Sequence, residues 1–107
     1  MEDLTKKKCK PCEGGTPHLK NKETEKLLEQ VPEWTVKNNK FLKRKFEFKN
    51  FKKALEFVNK VGEIAEEEGH HPDVLFGWGY ARIELTTHAV KGLSENDFIL
   101  AAKIDAI

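Results

Sequence analysis

Apolar residues recur along this chain with two different periods. Over residues 21–31, and more fully over 51–68, they return every three or four positions, which is the spacing of one helix face. Between and after these stretches they alternate with charged residues, which is the spacing of a strand covered on one side. The first helical stretch begins at Asn21, a residue able to cap, places Leu27, Leu28 and Val31 on one side, and stops at Pro32. A strand over 34–37 follows. Asn38 and Asn39, which tolerate positive φ, then predict a tight turn into a return strand over 41–48. On that strand Leu42, Phe46 and Phe48 share one face, and Lys43, Lys45 and Glu47 the other.

Asn50 is a good N-cap for the longest helix, 51–68, whose apolar set is Phe51, Ala54, Leu55, Phe57, Val58, Val61, Ile64 and Ala65. Gly69 fits the position just past its end, so the next residues leave at the rim of the helix layer. Two further strands read over 74–78 and 81–86, with Gly77 and Gly79 permitting a bulge or tight turn. Ser94 then caps a last helix running to about Ala106, with Asp97 at its third position as in a capping box. The order α-β-β-α-β-β-α predicts an α+β two-layer sandwich, a four-stranded antiparallel sheet with helices packed on one face. So small a sheet leaves edges that favour pairing with another copy, and a homo-oligomer is expected.

Composition narrows what such a domain does. At 107 residues the chain has room for one core. Its charged fraction is 35%, against about 25% in typical domains, yet 19 basic and 18 acidic residues nearly cancel to a formal charge of +1. That balance gives no support to a nucleic-acid or membrane-surface partner. No apolar run approaches the ~20 residues that span a bilayer, and the N-terminus has no apolar signal core, so a cytoplasmic location is expected.

Residues 1–18 are rich in Lys, Pro and Gly and lack periodicity, which reads as a flexible, extended arm ahead of a single domain over 19–107. Within it Cys9 and Cys12 form a C-x-x-C, with His18 beyond. Three candidate ligands fall short of the usual four for structural zinc, and the pair precedes any strand, unlike a thioredoxin-type motif. A pair of reduced or adventitiously bridged thiols is the plainest reading, with metal or redox use as alternatives.

Candidate chemistry gathers between Glu66 and Asp97. His70 and His71 are adjacent after the long helix, Pro72 stiffens the chain just beyond them, and His88 ends a strand before a loop able to close over a pocket. Histidine exchanges protons near neutral pH, so several with a carboxylate suggest paired acid and base work. Glu66 lies one helical turn before His70 and would share its face if the helix continued that far. Three histidines also match a catalytic zinc in number, although adjacent residues seldom reach one metal and no H-E-x-x-H is present. On the residues alone acid/base catalysis, a metal site and structural histidines all stay open. Trp34 and Trp78 read as core.

The succession Glu66, His70-His71-Pro72, Trp78, His88, Asp97 at these spacings resembles the signature of the pterin-4a-carbinolamine dehydratases. PEWTV before the first hairpin, the Phe46 to Phe51 junction FEFKNF and THAVKGLSENDF extend the similarity over 19–107, and the cysteine-containing arm resembles extensions in some bacterial members. The resemblance implies a four-stranded antiparallel sheet with helices on one face, assembled as a homodimer or homotetramer. It also implies a small-molecule pterin partner, with dehydration of 4a-hydroxytetrahydrobiopterin to the quinonoid dihydropterin, and no metal or organic cofactor. In that reading His70 and His88 exchange protons with the substrate, His71 binds and polarises the pterin, Asp97 fixes the tautomer of a histidine and Glu66 tunes His70. The family also contains protein-binding members, among them a dimerisation cofactor of a homeodomain transcription factor and relatives linked to enzyme assembly or molybdopterin metabolism. A non-catalytic binding role is therefore the competing expectation.

Overall fold

The computed structural model describes residues 3–11 and 17–107. Helix α1 spans Asn21–Leu28, strands β1 and β2 span Thr35–Lys37 and Phe41–Glu47, helix α2 spans Phe51–Glu68, strands β3 and β4 span Asp73–Gly77 and Tyr80–Leu85, and helix α3 spans Glu95–Asp105. The four strands form one antiparallel sheet in the order β1-β2-β4-β3, so the α+β architecture holds. No helix among the described residues is long and apolar enough to cross a membrane.

Register explains how charge and apolar residues separate. Leu42 pairs with Leu85, Arg44 with Ile83 and Phe46 with Ala81, placing these on one face, while Lys43 opposite Glu84 and Lys45 opposite Arg82 occupy the other. Leu42, Ala81, Ile83 and Leu85 are buried in the same cluster as Phe57 and Val61 of α2 and Phe98, Leu100 and Ile104 of α3. Each fully buried Leu or Phe contributes about 1.5–3 kcal/mol relative to exposure. Arg44 is the polar exception on the covered face. Its guanidinium lies 4.3 Å from the centre of the Phe46 ring and donates at 2.8 Å to Asp105, the last residue of α3. The same carboxylate oxygen accepts from the Trp34 indole at 2.8 Å, which closes the far end of the core.

The local signals acted where expected. Asn38 and Asn39 take φ of 53° and 56° in the β1–β2 turn. The Asn50 side chain accepts from Lys53 N–H at 2.9 Å to start α2, and Gly69 at φ 66° ends it. Other expectations are corrected. Lys20, not Asn21, precedes α1 as the cap, with Glu23 reaching back to its N–H at 3.1 Å. Phe51 and Leu55, members of the helix's apolar set, are 45% and 38% exposed. They lie one turn apart where α2 meets edge strand β3, and Phe51 covers Phe76 there at a ring separation of 5.6 Å. Trp34 is buried, whereas Trp78 is 72% exposed. Trp78 and Gly79 form the tip of the β3–β4 hairpin, with Gly79 at φ 82°, and a turn residue of that kind points away from both layers.

The N-terminal segment also departs from an extended arm over the residues that are described. Leu4, in a 3-10 turn over Leu4–Lys6, is 1% exposed in the main core, and its N–H donates to Gln30 at 3.0 Å. One leucine amid lysines gives no periodic signal, but burying it holds the 3-10 turn against α3. Cys12 of the C-x-x-C lies outside the described residues.

Candidate active site

Three chain ends meet beside the helix layer. At the first, α2 stops in a left-handed turn: the His70 N–H reaches back to Ala65 O at 3.2 Å and the Gly69 N–H to Glu66 O at 3.3 Å. This pattern swings His70 out of the helical path. At the second, β4 gives way to Thr87 and His88, and the latter opens a 3-10 turn over His88–Val90. Thr87 pairs with Gly92 across that turn, and Lys91 takes φ 56° to complete it. The loop expected to close over a pocket is therefore pinned at its base. At the third, Ser94 caps α3 and brings Asp97 inward.

Asp97 organises the site. It is fully buried, and Oδ2 accepts from the Ser94 N–H at 3.0 Å and the Thr87 hydroxyl at 2.8 Å. Its other oxygen, Oδ1, lies 2.6 Å from His70 Nε2. A carboxylate offers only acceptors, and the N-terminal end of α3 favours a negative charge there. Thr87 must therefore donate to Asp97, leaving the Ser94 hydroxyl, 2.8 Å away, to donate to Thr87. By the same argument His70 carries its proton on Nε2, and Nδ1 is left as the acceptor. The imidazole is 12% exposed, held by a side chain that has no solvent contact of its own.

His70, His71 and His88 all line one cleft of about 540 Å³, which also takes in Cys9, Lys10 and Pro11. The three histidines grouped in the sequence thus share one cleft. A larger concavity of about 630 Å³ lies on the open sheet face among Lys43, Lys45, Arg82 and Glu84 and is lined by no histidine. Among the described residues no group of three or more His, Cys, Asp or Glu side chains converges to hold a metal ion.

Glu66 is placed differently from expectation. Because Gly69 ends the helix, Glu66 and His70 do not share a face. Glu66 instead lies 3.4 Å from His71 Nε2, with both side chains largely exposed. So open a pair contributes little. Trp78, on the hairpin tip, does not line the cleft.

Three polar residues at the site went unmarked in the sequence. Thr87 and Asn96 are ordinary loop and helix-start residues there. Glu68 did carry a signal: an acid in the last turn of a helix opposes the macrodipole and needs a partner from elsewhere. Its Oε2 accepts from Lys103 at 2.7 Å and its Oε1 from the Cys9 N–H at 2.9 Å. Burial works against that charge, yet the bonds from Lys103 and Cys9 outweigh it and hold the Glu68 carboxyl below its ordinary range. The opposite happens to Cys9, where burial, reinforced by the Glu68 charge, pushes the thiol up to about 12.

Comparison with known proteins places the chain in one family. Residues 17–107 match the family model described as pterin 4 alpha carbinolamine dehydratase. A provisionally named pterin-4-alpha-carbinolamine dehydratase of Rubrobacter xylanophilus is 52% identical over the whole of both chains. One of the same provisional name from Methylococcus capsulatus is 56% identical over 97% of this chain and 92% of its own. Among solved structures, a transcriptional coactivator/pterin dehydratase from Brucella melitensis superposes with a TM-score of 0.78 at 29% identity, covering 83% of this chain and 96% of its own. A pterin dehydratase-like protein identified as a RuBisCO assembly factor in the alpha-carboxysome gives 0.59 at 27% identity, over 68% of this chain and 86% of its own.

Proposed function

The chain belongs to the pterin-4-alpha-carbinolamine dehydratase family, and we propose that it is an active member, dehydrating 4a-hydroxytetrahydrobiopterin to the quinonoid dihydropterin in the recycling of the reduced pterin. The observation that carries this reading is the buried Asp97 holding His70 at 2.6 Å in the cleft shared with His71 and His88.

The reaction removes the C4a hydroxyl and the proton of the neighbouring ring nitrogen. The C4a–O bond breaks as a proton reaches the leaving hydroxyl. The nitrogen lone pair forms the new double bond to C4a, and the nitrogen's proton passes to a base. The products are the dihydropterin and one water, with no change of oxidation state. His70 and His88 carry these two proton transfers, since each presents an imidazole to the cleft from a different chain end. Asp97 fixes which nitrogen of His70 faces the substrate, and so acts as a positioning residue. His71, more exposed, binds and polarises the pterin. Glu66 acts on His71 rather than His70. The reaction calls on no metal or organic cofactor, and the reading has the protein work in the cytoplasm.

Purified protein mixed with freshly generated 4a-hydroxytetrahydropterin and followed in the ultraviolet tests this. The expected result is clear acceleration over buffer, abolished by His70→Ala and His88→Ala together. No acceleration, or full activity in the double variant, refutes it. Homo-oligomer formation belongs to the same proposal, supported by the outer edges of β1 and β3, which no further strand among the described residues covers, and light scattering on the eluted protein checks it. A protein-binding role is the second reading. It is favoured by Leu75 and Trp78, which are 58% and 72% exposed together on the β3–β4 hairpin, and by the likeness to the assembly factor. One stoichiometric partner retained through Trp78 by a catalytically silent protein would favour it.

A further inference from the structure

The N-terminal segment takes part in the cleft, although the match to the family model begins only at residue 17. Cys9, Lys10 and Pro11 line the same cleft as the three histidines. Their position is set by two latches. Asn96 clamps Lys10 from both sides: its side-chain oxygen accepts from Lys10 N–H at 2.9 Å, and its amide donates to Lys10 O at 2.6 Å. Glu68 takes the Cys9 N–H and is itself braced by Lys103.

Both latches sit on elements that also carry site histidines or their partner. Glu68 is the last residue of α2, just ahead of His70. Asn96 precedes Asp97 in the first turn of α3, and Glu95 before it pairs with Lys7 at 2.6 Å. One helical turn thus mounts the segment through Glu95 and Asn96 and the imidazole through Asp97. The segment cannot shift without moving against the group that does the chemistry. Cys9, its thiol held neutral, and Pro11 give the cleft a soft uncharged lining, which suits the flat face of a bicyclic heterocycle.

We infer that residues 9–11 form a wall of the pterin-binding cleft, and that Glu68 and Asn96 are positioning residues which hold this wall against the substrate. This rests on the dehydratase reading. The wall contributes to binding rather than to proton transfer, so its loss raises KM and leaves kcat nearly unchanged.

The test compares wild type with Glu68→Ala, Asn96→Ala and Glu68→Gln. Turnover is measured on the hydroxypterin, binding by the quenching of 7,8-dihydropterin fluorescence, and placement of the segment by hydrogen exchange at the Cys9 and Lys10 amides. In each alanine variant faster exchange should accompany a rise of about tenfold in Kd and KM, with kcat within about threefold, the effect of one or two lost hydrogen bonds on binding. Glu68→Gln keeps one oxygen for two donors, the Cys9 N–H and Lys103, so its Kd and KM should lie between those of wild type and Glu68→Ala. Faster exchange with unchanged Kd and KM overturns the inference while leaving the dehydratase reading intact. So does a fall in kcat alone. Should Glu68→Ala fail to fold, Asn96→Ala decides by the same measures. A wild-type protein that neither binds nor converts the pterin sinks both.

Discussion

Replacing Asp97 with Asn separates the charge of this group from its shape. Oδ2 receives two donors, the Ser94 N–H and the Thr87 hydroxyl, so the amide oxygen must take that place. The amide nitrogen then occupies the place of Oδ1, 2.6 Å from His70 Nε2 in the native protein. Two N–H groups cannot face each other there, so His70 must surrender its Nε2 proton and carry it on Nδ1. Nδ1 thereby changes from acceptor to donor. A hydrogen bond to a charged group is worth roughly 1.5–3 kcal/mol, and each 1.4 kcal/mol or so in a barrier is about tenfold in rate. Asp97→Asn should therefore lower kcat about 10- to 100-fold with little change in KM. Nitrogen-detected magnetic resonance of the ring reports the tautomer directly, Nε2–H in wild type and Nδ1–H in the variant. A wild-type ring protonated on Nδ1, or a variant of full activity with the ring unchanged, refutes the reasoning.

Thr87→Val removes one donor to the buried carboxylate and leaves the Ser94 hydroxyl without its acceptor, so it should cost about 1–3 kcal/mol in denaturant unfolding; a loss under ~0.5 kcal/mol would show that Asp97 does not need the bond. Glu68 titrates below its ordinary 4.5 in the folded protein, so its stabilising effect is complete above that value and is lost as the pH falls through the lowered folded one. The stability gap between wild type and Glu68→Gln should accordingly be present at pH 7 and shrink towards acid, and a gap that widens on acidification contradicts the pairing with Lys103. With its thiol held up to about 12, Cys9 should react with iodoacetamide at pH 8 at least about tenfold more slowly than free cysteine. Mass spectrometry on a Cys12→Ser variant measures this, and labelling at the free-thiol rate would be inconsistent with the burial.

What could be read in advance was whatever one short stretch decides by itself. Asn50 and Gly69 bound α2 because a cap and a left-handed residue are local requirements. Asn38 and Asn39 make their turn for the same reason, and Asp97 was legible through its spacing from Ser94. Properties that depend on what lies opposite were hidden. Phe51 and Leu55 carry the helical period, but exposure there depends on α2 overhanging an edge strand. Trp78 is apolar, yet a two-residue hairpin turn leaves it nowhere to be buried. Glu66 partners His70 only in a helix that continues, and the left-handed Gly69 that ends it gives that role to a residue of α3. Leu4 is the extreme case, a single side chain whose burial depends wholly on distant segments.

The first turn of α3 has a consequence for how such a chain can diverge. Asp97 answers to the histidine of the cleft, while its neighbours Glu95 and Asn96 answer to the N-terminal segment. Adjacent positions on one helix thus serve different contacts. In a lineage that shed the segment, positions 95 and 96 would be released to drift, along with the acid at 68, while position 97 stayed fixed for as long as the chemistry was needed. Aligned relatives should fall into two groups, those keeping the leading segment together with all three latching residues and those that have lost the whole set, with few between.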